Sequence, residues 1–205
     1  MKLIIVRHGE TTHNRDGVSQ GQADTMLTEL GKKQAQCLAE RLVNEKIDTI
    51  YSSDLKRCKD TLKPFLKLKK MKVNYTADLR EINMGVFQEK PMTEYVEWKK
   101  SRKEKWDKIK PANGESFVDV RFRIKKIIDY ILEEEKGKIV LIMTHGKAKR
   151  AILMNLLNRN DEAYHDELRE LSKNTAVTIL NIKDSGKHEV ESLYSVDHLE
   201  DLDES

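Results

Sequence analysis

The stretch KLIIVRHG, residues 2–9, decides the fold of this chain. An apolar run rich in isoleucine and valine is typical of a strand that is buried on both faces of a parallel sheet. The run ends at Arg7, and His8 and Gly9 follow it directly. A strand followed by Arg-His-Gly and polar residues is not a core pattern, although a single histidine of this kind is more often a hydrogen-bonded structural residue.

A second stretch of the same kind, KIVLIMTHG, lies at residues 138–146. Its apolar part predicts another buried strand, and His145 and Gly146 follow that strand. Ligands of parallel sheets bind beyond the carboxyl ends of the strands. A glycine after each histidine lets the backbone approach a ligand closely or adopt a positive φ. The two His-Gly pairs therefore predict one shared binding site.

The rest of the chain alternates between helical and strand patterns. The first predicted helix is capped by Thr28, runs to about Glu45 and buries Leu30, Cys37, Leu38 and Leu42; the second is capped by Ser53 or Asp54 and reaches about Leu68 despite Pro64. Strands are predicted at 48–51 and 72–75, and two closing strands at 176–182 and 188–194 flank the turn Asp184-Ser185-Gly186. The other predicted helices are a weak one at 93–106, a strong one opened by Ser116 and one at 148–157. This alternation predicts a single domain over residues 1–205, a three-layer α/β/α sandwich with a mainly parallel sheet and an antiparallel edge.

The composition excludes several classes of protein. Lys and Arg number 38 and Asp and Glu 35, a balance too even for a typical nucleic-acid binder. Two cysteines do not make a disulfide framework. No apolar run approaches the ~20 residues of a membrane helix, and the first run is too short for a signal peptide. We therefore expect a cytoplasmic protein with no nucleic-acid or membrane partner.

The residues around His8 favour an anion over a metal ion. As a metal ligand pair, His8 and His145 would need a third ligand in a known arrangement. Arg7 would repel a cation, whereas its planar guanidinium matches the oxygens of a phosphate. Nearby arginines lower the pKa of an imidazole, and a neutral imidazole can attack phosphorus. The pattern predicts phosphoryl chemistry without a metal.

Seven blocks of the sequence, in order, resemble the histidine phosphatase superfamily, which includes phosphoglycerate mutases, fructose-2,6-bisphosphatases and many small-molecule phosphatases. The matching residues are 3–11 with Asn14; Gly21, Asp24, Leu27, Thr28, Gly31, Gln34 and Ala35; 51–57 with Thr61; 79–81 with Gly85; 114–116; 144–146; and 174–175 with Val177. The resemblance covers about residues 2–183, and it implies a phosphoglycerate mutase-like fold of branch 1.

The resemblance also implies roles for individual residues. His8 would be the phosphorylated nucleophile, and Arg7, Arg57 and His145 would complete the phosphate pocket, with a positively charged His145 donating to a nonbridging oxygen. Glu81 would protonate the leaving group and then activate water, although some members of the family use a different carboxylate. The expected substrate-binding residues are Arg7, His8, Asn14, Gln20, Gly21, Arg57, Glu81, His145 and Gly146. No metal and no cofactor are expected.

The expected function is hydrolysis of a small phosphomonoester. The first alternative is a cofactor-dependent phosphoglycerate mutase, but those relatives resemble longer chains with an Arg pair after the acid block, which this chain lacks. The second is a non-catalytic phosphate-binding module. A homodimer is possible on the resemblance alone.

Two segments and one cysteine carry further expectations. The segment 83–114 lies where the family places a lid, and its lysines, Lys99, Lys100 and Lys103 among them, favour a substrate with a second negative group. Cys58 follows Arg57 and is a candidate redox-sensitive thiol. The acidic tail at 197–205 is expected to fray.

Overall fold

A computed structural model of the chain describes residues 1–183, 186 and 188–202, apart from the side chain of Asp201. The described part contains one six-stranded sheet. Its strands are β1 Lys2–Arg7, β2 Thr49–Ser53, β3 Val73–Thr76, β4 Ile139–Thr144, β5 Val177–Asn181 and β6 Glu189–Ser195. Across the sheet the order is β3-β2-β4-β1-β5-β6. Strands β1 to β4 pair in parallel, whereas β5 runs antiparallel to both β1 and β6. The predicted parallel sheet with an antiparallel edge is confirmed.

Helices cover both faces of the sheet. They are α1 Thr12–Arg15, α2 Glu29–Leu42, α3 Lys56–Leu68, α4 Met92–Lys100, α5 Phe117–Glu134, α6 Gly146–Leu156 and α7 Glu162–Glu170. Successive side chains of a strand point to opposite faces. Leu3 and Ile5 accordingly pack into the core under α5 and α6, while Ile4 and Val6 pack into the core under α2 and α3. The predicted three-layer sandwich is confirmed. None of the helices in the described residues is both long and apolar enough to cross a bilayer.

Two of the predicted helix starts are confirmed and one is wrong. Thr28 accepts a hydrogen bond from the backbone of Gly31, and Ser116 forms a capping box that opens α5. Helix α3, in contrast, begins after Leu55 without a side-chain cap. The reason is that both expected caps are engaged elsewhere: Asp54 binds the guanidinium of Arg80, and Ser53 binds a ring nitrogen of His145.

Other boundaries differ from the prediction. Helix α2 ends at Leu42, and its Leu30 is exposed rather than buried. Helix α4 covers only Met92–Lys100 of the expected stretch 93–106. Helix α7 was not predicted. It buries Tyr164, His165 and Leu168, which lie on one face of the helix, and Asp161 caps its start, so both signals were present in the sequence.

The end of the described chain is more ordered than expected. Asp197–Leu202 forms a 3₁₀ helix instead of a frayed tail. It is held by His198, whose Nε2 lies 3.2 Å from Thr175 Oγ1, and by Asp197, which lies 3.9 Å from Arg41 Nη1. Residues 203–205, and Asp184 and Ser185 of the predicted turn, lie outside the described residues.

Candidate active site

The two His-Gly pairs meet because β1 and β4 are neighbouring parallel strands. Arg7 pairs with Thr144 in the register of the sheet, and the backbone N–H of His8 donates to the carbonyl of Thr144 at 3.0 Å. The imidazole rings of His8 and His145 lie 5.1 Å apart, centroid to centroid. The sheet itself thus places both histidines at one end of the fold.

The backbone fixes the ring of His8. Its Nδ1 lies 2.8 Å from the carbonyl oxygen of Gly9, a geometry in which Nδ1–H donates and Nε2 keeps its lone pair. The Gly9 N–H in turn donates to Thr61 Oγ1, and Asn174 Nδ2 donates to the His8 carbonyl. Burial, together with the charges of Arg57 and Arg7, holds the pKa of His8 well below its usual value. The ring is therefore neutral, with an unprotonated nitrogen.

Arg57, in the first turn of α3, is fully buried. Its Nε donates to His145 Nδ1 at 3.1 Å, and its two terminal nitrogens donate to the carbonyls of Ala23 and Gly21 at 2.8 Å each. A guanidinium has five N–H donors, so two of them stay free for a ligand. Arg57 is thus a positive charge with its plane fixed before any substrate binds.

His145 lies behind Arg57 and is fully buried. Because Nδ1 accepts from Arg57, Nε2 carries the proton, and it lies 2.8 Å from Ser53 Oγ and 3.5 Å from Cys58 Sγ. Burial and the charge of Arg57 lower the pKa of His145 well below its usual value. The expected positive charge on His145 is therefore absent in the free site, and both of its ring nitrogens are bound within the protein.

Arg7 lies on the opposite side of the nucleophile. Its Nη1 donates to the carbonyl of Ser172, whereas its Nε is buried and has no hydrogen-bond partner among the described residues. A buried guanidinium N–H without an acceptor costs free energy, and an anion in the pocket would supply that acceptor. The orientation of Arg7 suits a phosphate bound at His8.

Glu81 follows the 3₁₀ helix Ala77–Leu79. Its Oε1 accepts from the N–H of Ile82 at 2.9 Å, and its Oε2 accepts from the N–H of Lys147 at 3.1 Å, in the first turn of α6. Arg123 anchors this loop, because its Nη1 donates to the carbonyls of Asp78 and Arg80. The carboxyl group is thus held rigidly at the edge of the pocket.

A polar loop closes the remaining side. Asn14 accepts hydrogen bonds through Oδ1 from Thr11 and Asn174, which leaves its amino group available to a ligand. Gln20 accepts through Oε1 from two threonines, and its amino group is likewise available. Gly21 adopts a φ of 50°, and a Cβ there would lie 2.9 Å from Gln88 Oε1. This position therefore requires a glycine, because any side chain would be strained and would contact Gln88.

These residues enclose a pocket of about 180 Å³. All but one of the predicted site residues line it: Arg7, His8, Asn14, Gln20, Gly21, Arg57, Glu81 and Gly146. His145 does not line the pocket, because it lies behind Arg57. A larger lateral cavity of about 930 Å³ adjoins it and shares Ile82, Met92, Lys147, Arg150 and Arg169. In residues 1–183, 186 and 188–202, no group of three or more His, Cys, Asp or Glu side chains is arranged to hold a metal ion.

The segment 83–114 borders both cavities. Met84 and Met92 line the catalytic pocket, and Lys99 and Lys100 line the lateral cavity. The loop around Lys90 is tied to the pocket wall, because the N–H of Ser19 donates to the carbonyl of Lys90 and the N–H of Glu89 donates to that of Ser19. Lys103 points elsewhere and lines neither cavity.

Sequence reasoning missed several residues of the site, and four of them bear on its charges. Ser172 was not singled out, and its carbonyl binds Arg7. Lys147, Arg150 and Arg169 line the pocket as well. Lys147 and Arg150 are three positions apart directly after His145-Gly146, and this spacing on a helix was the available signal. Arg169 lies on the unpredicted helix α7 and gave no such signal.

Cys58 does not have the environment of a reactive thiol. It is fully buried, and burial raises the pKa of the thiol to about 12. The neighbouring charge of Arg57 acts in the opposite direction but is outweighed. The redox-sensitive role considered for Cys58 is therefore not supported by its surroundings.

Comparisons with known proteins identify the family and the fold. The model of the histidine phosphatase superfamily (branch 1) matches residues 3–194. Phosphoglycerate mutase-like protein 4 of Arabidopsis thaliana is 32% identical over 98% of this chain and 87% of its own, and a protein of Schizosaccharomyces pombe named a probable phosphatase is 30% identical over 98% and 96%. The solved structure of a mycobacterial glucosyl-3-phosphoglycerate phosphatase is 25% identical, with a TM-score of 0.78 over 93% of this chain and 97% of that one.

Proposed function

Since this chain belongs to branch 1 of the histidine phosphatase superfamily, we propose that it hydrolyses a small phosphomonoester through a phosphohistidine on His8. The observation that carries the proposal is the state of the His8 ring. Nδ1–H is engaged by the Gly9 carbonyl, the lowered pKa keeps the ring neutral, and Nε2 retains its lone pair inside a pocket lined by Arg7 and Arg57. Such a nitrogen is a competent nucleophile toward phosphorus.

In the first step, His8 Nε2 attacks the phosphorus atom and the bond from phosphorus to the leaving oxygen breaks. Arg7 and Arg57 neutralise the charge on the equatorial oxygens of the transferring group. Glu81, as the carboxylic acid, donates its proton to the leaving oxygen, so that the product departs as a neutral alcohol. The intermediate is phosphohistidine together with an ionised Glu81.

In the second step, water attacks the same phosphorus atom and the bond from phosphorus to Nε2 breaks. Glu81 accepts the proton of the water and returns to the acid form, and inorganic phosphate leaves. Two backbone N–H groups fix the carboxyl group of Glu81 beside the pocket, and this supports its assignment to both proton transfers. The positive charge that stabilises both steps comes from fixed guanidinium groups, so no metal ion is required.

The test is phosphate release in the presence of EDTA from p-nitrophenyl phosphate and a panel of phosphorylated metabolites. We expect release by the wild type and none by His8→Ala, with His13→Ala, a substitution in the neighbouring helix α1, as the matched control. The intermediate should be trapped as a phosphoramidate that is labile to acid and stable to alkali. Activity that is lost in EDTA and restored by magnesium would contradict the mechanism.

A mutase is the second candidate, because the Arabidopsis relative is named as phosphoglycerate mutase-like. A mutase must return the phosphoryl group to a sugar acid instead of to water. Isomerisation of 3-phosphoglycerate that depends on 2,3-bisphosphoglycerate, with little release of phosphate, would establish it. Binding of phosphate compounds without any turnover would instead indicate a non-catalytic module.

We further propose that the protein acts in the cytoplasm on small molecules and not on nucleic acid. The support is the nearly even balance of 38 basic and 35 acidic residues. A homodimer also stays a proposal, and light scattering after size-exclusion chromatography would test it.

A further inference from the structure

The wall between the catalytic pocket and the lateral cavity carries two positive charges that the phosphoryl chemistry does not use. Lys147 and Arg150 belong to successive positions on one face of α6, and both line both cavities. Arg150 is almost completely buried, and Lys147 is partly buried. These two residues, which we call the α6 cation pair, stand on the leaving-group side of Glu81.

The negative charges that act on the α6 cation pair are those of Glu81 in its ionised form, on both side chains, and of Asp166, on Arg150. Within the described residues neither side chain forms a salt bridge. The ammonium group of Lys147 lies 3.5 Å from Met84 Sδ and 4.9 Å from the ring centre of Tyr95, and Arg150 Nη1 is buried without a hydrogen-bond partner. Burying charges without partners costs free energy. Such residues are expected where a ligand supplies the missing anion.

The charges that line the catalytic pocket support the same conclusion. Arg169 is paired with Asp166 and Glu170 on its own helix. When Glu81 is in its acid form, as the first step requires, the remaining charged side chains are four cations, namely Arg7, Arg57, Lys147 and Arg150. A phosphomonoester dianion neutralises two of these four charges. Two positive charges are left for a further anionic group.

The lateral cavity has room for the part of the substrate that would carry this group. It is lined on the far side by apolar and aromatic residues, including Tyr95, Trp106 and Phe117. A leaving group that extends from Glu81 into this cavity must pass Lys147 and Arg150, because these residues line both spaces. Burial lowers the pKa of Lys147 to about 8, and a bound anion would raise it again.

We propose that the substrate is a phosphomonoester whose alcohol portion carries a second anionic group, a carboxylate or a second phosphate, and that Lys147 and Arg150 bind that group. The inference rests on the proposed phosphatase function and assigns a substrate class to it. The lysines of the segment 83–114 play the lesser part, because Lys99 and Lys100 line only the outer cavity.

The experiment compares substrates that differ only in the second anion. Phosphoserine and phosphoethanolamine differ by a carboxylate, and fructose 1,6-bisphosphate and fructose 6-phosphate differ by a phosphate. We expect one of the two pairs to show at least a ~30-fold preference in kcat/KM for the compound with the additional anion. The pair that shows it identifies the anion. Equal kcat/KM values within both pairs would overturn the proposal.

Variants at Lys147 assign the preference to the α6 cation pair. Lys147→Met should reduce the preference at least ~10-fold, mainly through KM, and Lys147→Arg should restore it. The backbone N–H of Lys147, which binds Glu81, is retained in both variants. Lys108→Met, an exposed lysine that lines neither cavity, is the control and should keep the wild-type preference. A preference that survives Lys147→Met would refute the assignment.

Direct binding separates this proposal from the phosphatase function. In a His8→Ala background, or His8→Gln if the smaller side chain impairs folding, calorimetry should show tighter binding of the compound with the additional anion, and Lys147→Met should abolish the difference. A binding preference without hydrolysis by the wild type would retain the second-anion site and reject the phosphatase. Hydrolysis by the wild type without any binding preference would retain the phosphatase function and reject the second-anion site.

Discussion

Arg57 Nε donates a hydrogen bond to His145 Nδ1 at 3.1 Å, and both side chains are fully buried. The two residues are 88 positions apart, one on α3 and the other at the end of β4. The bond selects one tautomer of His145 and one plane for the guanidinium. The positive charge beside His8 belongs to Arg57, and His145 helps to fix its orientation.

Replacing Arg57 by lysine should show how much this geometry contributes. A lysine retains the charge, but it cannot donate at once to His145 and to the carbonyls of Gly21 and Ala23. We expect kcat to fall about 10²–10³-fold, as for the loss of an oriented donor to the transition state. Steady-state kinetics with p-nitrophenyl phosphate measures the effect. Arg41→Lys, which is remote from the pocket, is the control, and a loss of less than threefold in Arg57→Lys would contradict a role for the fixed plane.

Stability should depend on pH through the two buried histidines. The pKa values of His8 and His145 are lowered in the folded state, so below about pH 6.5 the unfolded chain binds protons that the folded chain does not. The free energy of unfolding therefore falls as the pH drops below about 6.5, by up to about 1.4 kcal/mol per pH unit for each histidine, until the lowered pKa is reached.

Urea unfolding between about pH 5 and pH 7.5 measures this slope. In His8→Gln and in His145→Gln, the number of protons taken up on unfolding should in each case be lower by about one than in the wild type. Other histidines contribute equally to all of these proteins, so the difference between slopes isolates the substituted residue. Parallel curves for His8→Gln and the wild type would show that His8 is protonated in the folded state.

Glu81→Gln should separate the two proton transfers. An alkyl phosphate needs a proton on its leaving oxygen, whereas p-nitrophenolate leaves as a stable anion. We expect a loss of about 10²–10⁴-fold with alkyl substrates. With p-nitrophenyl phosphate we expect a burst of nitrophenolate followed by slow hydrolysis of phosphohistidine. Stopped-flow absorbance detects the burst, and Glu133→Gln on the exposed face of α5 serves as the control. Equal losses for both substrates and no burst would assign the acid to another residue.

Alanine substitutions at two glycines with positive φ should show how tightly the pocket is packed around Gly21. Gly17 and Gly21 have φ values of 65° and 50°, so an alanine at either position costs about 1–2 kcal/mol of backbone strain. A Cβ at Gly17 meets nothing within 4 Å, whereas a Cβ at Gly21 would lie 3.1 Å from the backbone nitrogen of Met84. We expect Gly21→Ala to lower Tm more than Gly17→Ala does and to lower kcat as well, since the Gly21 carbonyl orients Arg57. If Gly21→Ala and Gly17→Ala changed Tm and kcat equally, the pocket wall around Gly21 would have to accommodate a side chain without cost.

The sequence was sufficient to predict those parts of the site that depend on local pattern. The apolar runs before His8 and His145 predicted two strands, and the parallel sheet brings their ends together. The cap of α2 at Thr28 was predictable for the same reason, because a capping side chain acts within one turn.

Contacts between distant parts of the chain were not predictable. Asp54 does not cap α3 because Arg80, 26 residues later, binds it. The ring of His145 contacts Ser53, 92 residues earlier, and its tautomer is set by Arg57, 88 residues earlier. His165 on α7 packs between Trp106 and Phe117, and these contacts join parts of the chain that are far apart in sequence. Tertiary packing overrides local propensity at Asp54.

The position of β5 has a consequence for the newly made protein. Strand β1, which His8 follows, is made before its two neighbours in the sheet, β4 and β5, which come more than 130 residues later in the chain. Until then β1 has neither neighbour, and His8 and His145 cannot be brought together. We therefore expect nascent chains that end before residue 177 to release no phosphate.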